Sequence, residues 1–360
     1  PSRLGTLKRT LSIHEIEEKL ESILKNSPEN GLRELQKNAL IVASQLNMQK
    51  EYKKLDLLIG GLLGTKEVEF SSSVAQARKA GLPYDPKRVE LFENLMVHFL
   101  NCPPISRISK NMQMPAWKNI SFFESYFSNF IEGTEFGIEE ATEIIFEGKL
   151  PADRPDDAHD ILGTYQLASS KQEMSTIPKT YEQFVEILKK RHRLLMSSRP
   201  NVIPGEFKKK ANRVGVTYFV EPELVPGTLK KGFDIYKTID IPFYRAVFMQ
   251  FFISEIHPFN DGNGRLSRIM MNAELIVKGE ERIIIPNIFR GNYLSALSAL
   301  SIHGIPDPLI RTLDFAQKYV ALIPWEDFDR ALDRLKKTNA FLDSARAEIE
   351  GIRLRLPDYS

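Results

Sequence analysis

Cysteine is almost missing from this chain: Cys102 is the single one in 360 residues. That excludes an intramolecular disulfide framework, a multi-thiolate metal site and a CxxC redox pair, and leaves Cys102 as an expected small buried hydrophobe. Long apolar runs are missing too. The greasiest stretch, Leu57 to Leu63, is broken by Gly60 and Gly61 and falls far short of the roughly 20 apolar residues that span a bilayer. No basic and apolar leader opens the sequence, which starts at Pro1, so the expectation is a cytoplasmic protein without membrane attachment. Charge of one sign is not in excess: 49 basic side chains face 47 acidic ones, a net of +2, which by itself gives no reason to expect nucleic-acid binding. The histidines at 14, 98, 159, 192 and 303 have no metal-ligand spacing and are expected in ordinary structural or surface roles. Basic runs at Lys189-Lys190-Arg191-His192-Arg193 and Lys208-Lys209-Lys210 read as solvated faces.

What is present is the mixture of a soluble, core-forming protein, 42% hydrophobic and 27% charged. Its patterning predicts a mainly α fold. Ser12 with Glu15 forms a capping-box pattern ahead of Ile13, Ile16, Leu20, Ile23 and Leu24 at helical spacing. Helical patterns continue through Leu32 to Lys50 and from Arg88 to Leu100, until Cys102-Pro103-Pro104 stops the last. A second capping-box pattern, Ser121 with Glu124, is expected to open an aromatic helix at about 121–133, ended by Gly133. Further helices are expected over 156–167, 181–194, 243–256, from Asn263 for about four turns, over 293–301 and over 308–320, followed by a charged amphipathic tail from Trp325 to Leu354. The exception is VGVTYFVE, whose β-branched and aromatic residues favour a hairpin between about Asn212 and Glu221. The expected division is a helical region over 1–105, a catalytic region over 106–305 and a helical region over 306–360.

The densest chemistry lies in His257 to Arg268, HPFNDGNGRLSR, read as a short loop between two helices. Gly262 and Gly264 allow close approach of backbone to a ligand, and the second helix opens with unpaired N–H groups aimed at the loop. Together these make an anion cradle. Arg265 and Arg268 beside a helix N-terminus are unfavourable unless something negative is bound there. Asp261 offers a hard oxygen ligand for Mg²⁺. His257 is the one imidazole next to this cluster and in its neutral form can take a proton from a hydroxyl.

The twelve residues resemble, position for position, the HxFx(D/E)GNGRxxR signature of the Fic (filamentation induced by cyclic AMP) family. The resemblance extends more loosely from about Pro115 to Leu300, through NRVGVTYFVEPELVPGTL and RGNYLSAL. It implies a Fic-type helical core with a small β-hairpin flap, and AMP transfer from ATP to a Ser, Thr or Tyr hydroxyl of a protein, with self-modification possible. By the same resemblance His257 is the general base and Asp261 holds Mg²⁺ against the phosphates. Asn263 and the backbone of Gly262 and Gly264 meet phosphate oxygens, Arg265 and Arg268 take the β and γ positions, and Tyr293 is a candidate lining of the nucleobase pocket.

Ser128 to Gly133, SNFIEG, is similar to the family's inhibitory pattern (S/T)xxxE(G/N). Ser128 and Glu132 share a helix face, with Ser128 expected to fix the helix end and Glu132 to pair with Arg268, keeping that arginine from the γ-phosphate. In the hairpin, Val216, Thr217, Tyr218 and Phe219 are expected to dock an extended segment of the target by strand addition. Other readings stay open from the residues alone: removal of AMP, transfer of UMP, phosphocholine or phosphate, and an inactive adaptor that binds protein or nucleic acid, of which the nucleic-acid partner is the less expected. Target identity and oligomeric state do not follow from the sequence.

Overall fold

In the computed structural model, residues 11–26, 30–215 and 217–357 are described, and helices dominate them as the apolar spacing predicts. None of those helices is long and apolar enough to cross a membrane. The chain forms two compact units, residues 1–86 with 223–228, and residues 87–222 with 229–360.

The first unit contains α1 (Ile13–Asn26), α2 (Asn30–Gln45), α3 (Gln49–Leu62) and α4 (Ser73–Lys79). The first capping box forms as read: the Ser12 N–H donates to the Glu15 carboxylate at 2.8 Å and the Glu15 N–H to Ser12 Oγ at 3.2 Å. The helical run expected through Lys50 is interrupted at Asn47, whose φ of 57° suits a short polar side chain that tolerates the left-handed region. Leu20, Leu32, Ile59 and Ala75 close the core.

The second unit opens with α5 (Pro86–Phe99), α6 (Ala116–Ile131), α7 (Ile138–Thr142), α8 (Pro155–Ser169), α9 (Lys171–Met174) and α10 (Tyr181–Leu195). A two-stranded hairpin follows, β1 (Arg213–Val214) and β2 (Thr217–Tyr218), antiparallel with Arg213 opposite Tyr218 and Val214 opposite Thr217. After it come α11 (Val225–Tyr236), whose first residues, to Thr228, count with the first unit, then α12 (Pro242–Ile256), α13 (Asn263–Ile276), α14 (Arg290–His303), α15 (Asp307–Val320), α16 (Phe328–Lys337) and α17 (Ser344–Ile349). The fold class is thus mainly α with one small hairpin, as expected.

The helix pair α12 and α13 is the centre of this unit. From Phe243 to Ile256 only Arg245 and Ser254 escape burial, the all-round apolar pattern of a helix enclosed by others. Phe92 of α5 meets Phe248, Phe251 and Phe252 edge-on at 5.9, 6.1 and 5.3 Å. On the other side, Phe123 and Phe127 of α6 pack against Trp325 at 5.6 Å and Phe341 at 5.3 Å. These contacts explain two differences from the sequence reading. Helix α5 joins the second unit, so the division falls at Pro86 and Lys87 and not near 105, and residues 306–360 share one core with 106–305. The tail is also not one helix, because Asn339 at φ 70° separates α16 from α17.

The second capping-box expectation fails. Helix α6 starts at Ala116, and Ser121 and Glu124 are buried inside it. Ser121 Oγ donates to the Trp117 and Ala168 carbonyls at 2.7 and 2.9 Å, while Glu124 accepts from Arg282 at 2.7 Å and from Asn272 Nδ2 at 2.9 Å. The pattern marks a buried polar layer joining α6 to α13, not a helix start. Cys102 is partly exposed, not buried.

Candidate active site

The loop between α12 and α13 is held from all sides. His257 caps α12 in the left-handed region at φ 54°, a conformation non-glycine residues seldom adopt, and its N–H donates to the Ile253 carbonyl at 2.9 Å. Its Nδ1 lies 3.2 Å from the Ser254 carbonyl, which assigns the proton to Nδ1 and leaves a lone pair on Nε2. Phe219, just past β2, stacks on the ring at 3.8 Å and 7°. Burial pushes the imidazole down to about 4, against the Ser254 carbonyl, which favours the charged form.

Beyond His257 the chain turns inward. Phe259 is fully buried and stacks on His192 at 3.7 Å and 5°. His192 Nδ1 accepts from the Gly205 N–H at 2.8 Å, so its Nε2 is the donor to the Asp261 carbonyl at 3.0 Å. This histidine, read from sequence as part of a solvated basic face, is a buried support of the loop, and Arg191 and Lys208 are buried as well. Asn263 bridges the loop in both directions, accepting from the Phe259 N–H and donating to the Phe259 carbonyl, each at 2.9 Å. Its amide therefore engages the loop at both ends, leaving one N–H and one oxygen lone pair over. Gly262 at φ 75° makes the turn into α13, and a Cβ there would lie 2.7 Å from Met196 Sδ.

The two arginines have different surroundings. Arg265 Nη1 meets buried Asp160 at 2.6 Å and Asn129 Oδ1 at 3.3 Å, and Asp160 also receives Arg199 at 2.8 Å. Arg268 donates through Nε to Ser128 Oγ at 2.9 Å and through Nη2 to the Ser128 carbonyl at 2.9 Å and Glu132 Oε1 at 2.6 Å. Ser128 thus acts on Arg268 and not on its own helix end, which Gly133 closes at φ 92°. Arg290 adds a donor to the Ile131 carbonyl at 3.0 Å. Desolvation against the packed loop works against the charge on Glu132, yet the adjoining Arg268 guanidinium, with Arg265 and His257 behind it, holds the carboxyl below its ordinary value. A second acid–base pair, Arg245 with Glu274 at 3.2 Å, lies at the end of the α12–α13 pair away from the loop.

A Cβ placed on Gly264 would fall 2.2 Å from Glu132 Oε1. The carboxylate therefore occupies the space that this glycine leaves open at the first turn of α13, beside Arg268. The position thus already accepts an anion of the chain's own, as a bound phosphate requires. Asp261 fits a cation held mostly by phosphate oxygens. Its carboxylate is about half exposed, with Arg265 Nη2 3.9 Å away, and Oδ1 accepts from the Gly262 N–H at 2.6 Å. No cluster of three or more metal-ligating side chains occurs among the described residues.

Tyr293 is buried, accepts from Gln250 Nε2 at 2.6 Å and shares a hydrogen bond with Arg268. That location sets its hydroxyl against the arginine. In the hairpin, Tyr218 is exposed, Thr217 and Phe219 are half-buried and Phe219 stacks on His257; Val216 lies outside the described residues. The residues missed from sequence are Asp160, Arg199, His192, Arg290 and Lys208, and none carried a local signal.

Comparison with known proteins agrees with this geometry. Residues 183–275 match the Fic/DOC family model. The chain is 30% identical over 225 residues to a protein adenylyltransferase Fic of Drosophila mojavensis, covering 59% of this chain and 43% of the relative. It is 31% identical over 225 residues to its counterpart in Drosophila willistoni, covering 59% and 44%. It thus spans less than half the length of these relatives. A more distant likeness is to the structure of Fic-1 from C. elegans, at 17% identity and a TM-score of 0.49, covering 91% of this chain and 99% of that one. The stretch from residue 183 to 275, with the signature loop and its supporting helices, thus carries a Fic/DOC match.

Proposed function

We propose that this chain is a protein adenylyltransferase that moves AMP from ATP to a serine, threonine or tyrosine hydroxyl of a protein, itself included, and that Glu132 holds it at rest. The observation that carries the reading is the Glu132 carboxylate lodged against Gly264 while paired with Arg268. Where a carboxylate fits at a helix N-terminus, a phosphate fits in its place. The same carboxylate also keeps Arg268 from gripping that phosphate and repels it by charge.

In this reading His257 takes the proton of the acceptor hydroxyl at Nε2, its tautomer set by Ser254 and its ring by Phe219. The acceptor oxygen then bonds to the α-phosphorus while the bond from that phosphorus to the bridging oxygen breaks, so that pyrophosphate leaves. The backbone at Gly262 and Gly264 and the Arg268 guanidinium supply positive potential where charge develops. Asn263 and Arg265 contribute by keeping the loop and first turn in shape, and Tyr293 by orienting Arg268. Mg²⁺, when bound, neutralises phosphate oxygens, and Asp261 is the residue that would hold it. The hairpin's Thr217 and Tyr218 offer extended backbone to a target segment. Residues 106–305 are the catalytic portion in this reading, and a cytoplasmic setting supplies the ATP.

The test is mass spectrometry of Glu132→Gly incubated with ATP and Mg²⁺, beside the same protein carrying His257→Ala. The expected result is a gain of one AMP that the second substitution abolishes. A different adduct, or an AMP gain that survives loss of His257, overturns the reading.

A further inference from the structure

Lys208 opens a run of three lysines, yet it is only 3% exposed, whereas Lys209 and Lys210 are exposed. Taking an ammonium out of water is expensive unless something compensates. No ion pair is formed by Lys208 among the described residues. Its Nζ instead donates to Asn212 Oδ1 at 2.6 Å, lies 3.5 Å from the Ile256 carbonyl and sits 5.9 Å from the Phe219 ring centre. Its backbone N–H donates to the Pro258 carbonyl at 2.9 Å. Lys208 therefore meets the residue before His257 with its ammonium and the residue after it with its backbone N–H, and the ammonium faces the ring stacked on His257.

Asn212 extends these contacts. Its Nδ2 donates to the Phe259 carbonyl at 2.9 Å, and its own carbonyl accepts from the Phe219 N–H at 3.3 Å. The hairpin is pinned on its other strand by Arg88, which donates to the Tyr218 carbonyl at 2.6 Å and pairs with Glu255.

We propose that Lys208 is a positioning residue for His257: by holding Asn212 it clamps the base of the flap and keeps Phe219 stacked on the imidazole, and its ammonium sets the charge that the ring meets. The proposal rests on His257 being the base in the reading above. The charged groups facing the ring are Lys208, which opposes its protonation, and Glu132 and Asp261, which favour it. Those facing Lys208 are Glu221, which favours its charge, and Arg88, which opposes it, with burial bringing the amine down to about 8. Near neutral pH Lys208 is therefore mostly charged, and removing it makes His257 easier to protonate.

The experiment is an NMR titration of the labelled His257 imidazole, identified by the signal lost in His257→Gln, in wild type, Lys208→Met and Lys208→Arg. Lys208→Met is expected to raise the midpoint by about half a pH unit or more, and Lys208→Arg to bring it back. If Lys208→Met does not fold, Lys208→Gln removes the charge while keeping a donor for Asn212, and the same rise is expected. An unmoved midpoint in a folded neutral variant overturns the proposal. In the Glu132→Gly background, the acid limb of the rate of AMP transfer should shift the same way. A uniform loss at every pH with the limb in place would mark Lys208 as merely structural and also overturn it. The titration needs no turnover, so failure of AMP transfer in Glu132→Gly sinks the functional reading without deciding the fate of Lys208.

Discussion

Ser128 in the last turn of α6 and Glu132 at its C-cap close on a single guanidinium: Arg268 gives Nε to the serine at 2.9 Å and Nη2 to the glutamate at 2.6 Å. The two contacts are not equivalent. Removing the glutamate vacates the space at Gly264, whereas removing the serine hydroxyl leaves the Ser128 carbonyl still bound to Nη2 at 2.9 Å. Glu132→Gly is therefore expected to raise self-modification with labelled ATP by roughly tenfold or more, equivalent to about 1.4 kcal/mol of barrier. Ser128→Ala should raise it less while lowering stability in urea by about 1–2 kcal/mol. Equal rates in wild type and Glu132→Gly would remove the inhibitory role.

The half-buried, packed setting of His257 fixes the pH dependence. Its imidazole titrates at about 4 in the folded chain against the ordinary 6.5. Between those values the unfolded chain binds a proton that the folded one refuses. This contribution to stability is complete above 6.5 and is lost as pH falls toward 4. For catalysis the same depression keeps the base unprotonated in mildly acidic solution, and loss of Glu132, a neighbour that favours protonation, carries the limb lower still. The kcat/KM of Glu132→Gly should be flat from about pH 5.5 to about 7.5 before falling in acid. An acid limb centred on the ordinary histidine value would contradict the buried setting.

How much of this was legible in the sequence depended on how far apart the partners lie. His257, Asp261, Gly262, Gly264 and Arg268 fall within twelve positions, and a loop between two helices brings them together whatever the rest of the chain does. The helices were legible because α10, α12, α13 and α15 each bury a stripe or a whole surface. Asp160, which neutralises Arg265, is more than a hundred residues away and sits in an unremarkable polar stretch of α8, so only the tertiary packing of α8 against α13 shows it. Ser121 with Glu124 misled for the converse reason. Their spacing is that of a cap, but Arg282, Asn272 and the Ala168 carbonyl compete for them successfully in the interior. The lysine run misled because one of its members, Lys208, meets the loop while its neighbours face water, a distinction that composition does not carry.

Asn263 separates two accounts of the signature loop. If its amide served only to bind phosphate, Asn263→Ala would weaken nucleotide binding and leave stability unchanged. In the structure each end of the amide also holds the backbone of buried Phe259. Asn212 also reaches the Phe259 carbonyl at 2.9 Å, so truncating Asn263 chiefly strands the Phe259 N–H. A buried donor without a partner costs about 1–3 kcal/mol. Asn263→Ala should therefore lower unfolding stability by that amount in chemical denaturation, and AMP transfer should fall with it as the turn into α13 loosens. Full stability with only a raised KM for ATP would return Asn263 to the role of direct phosphate ligand.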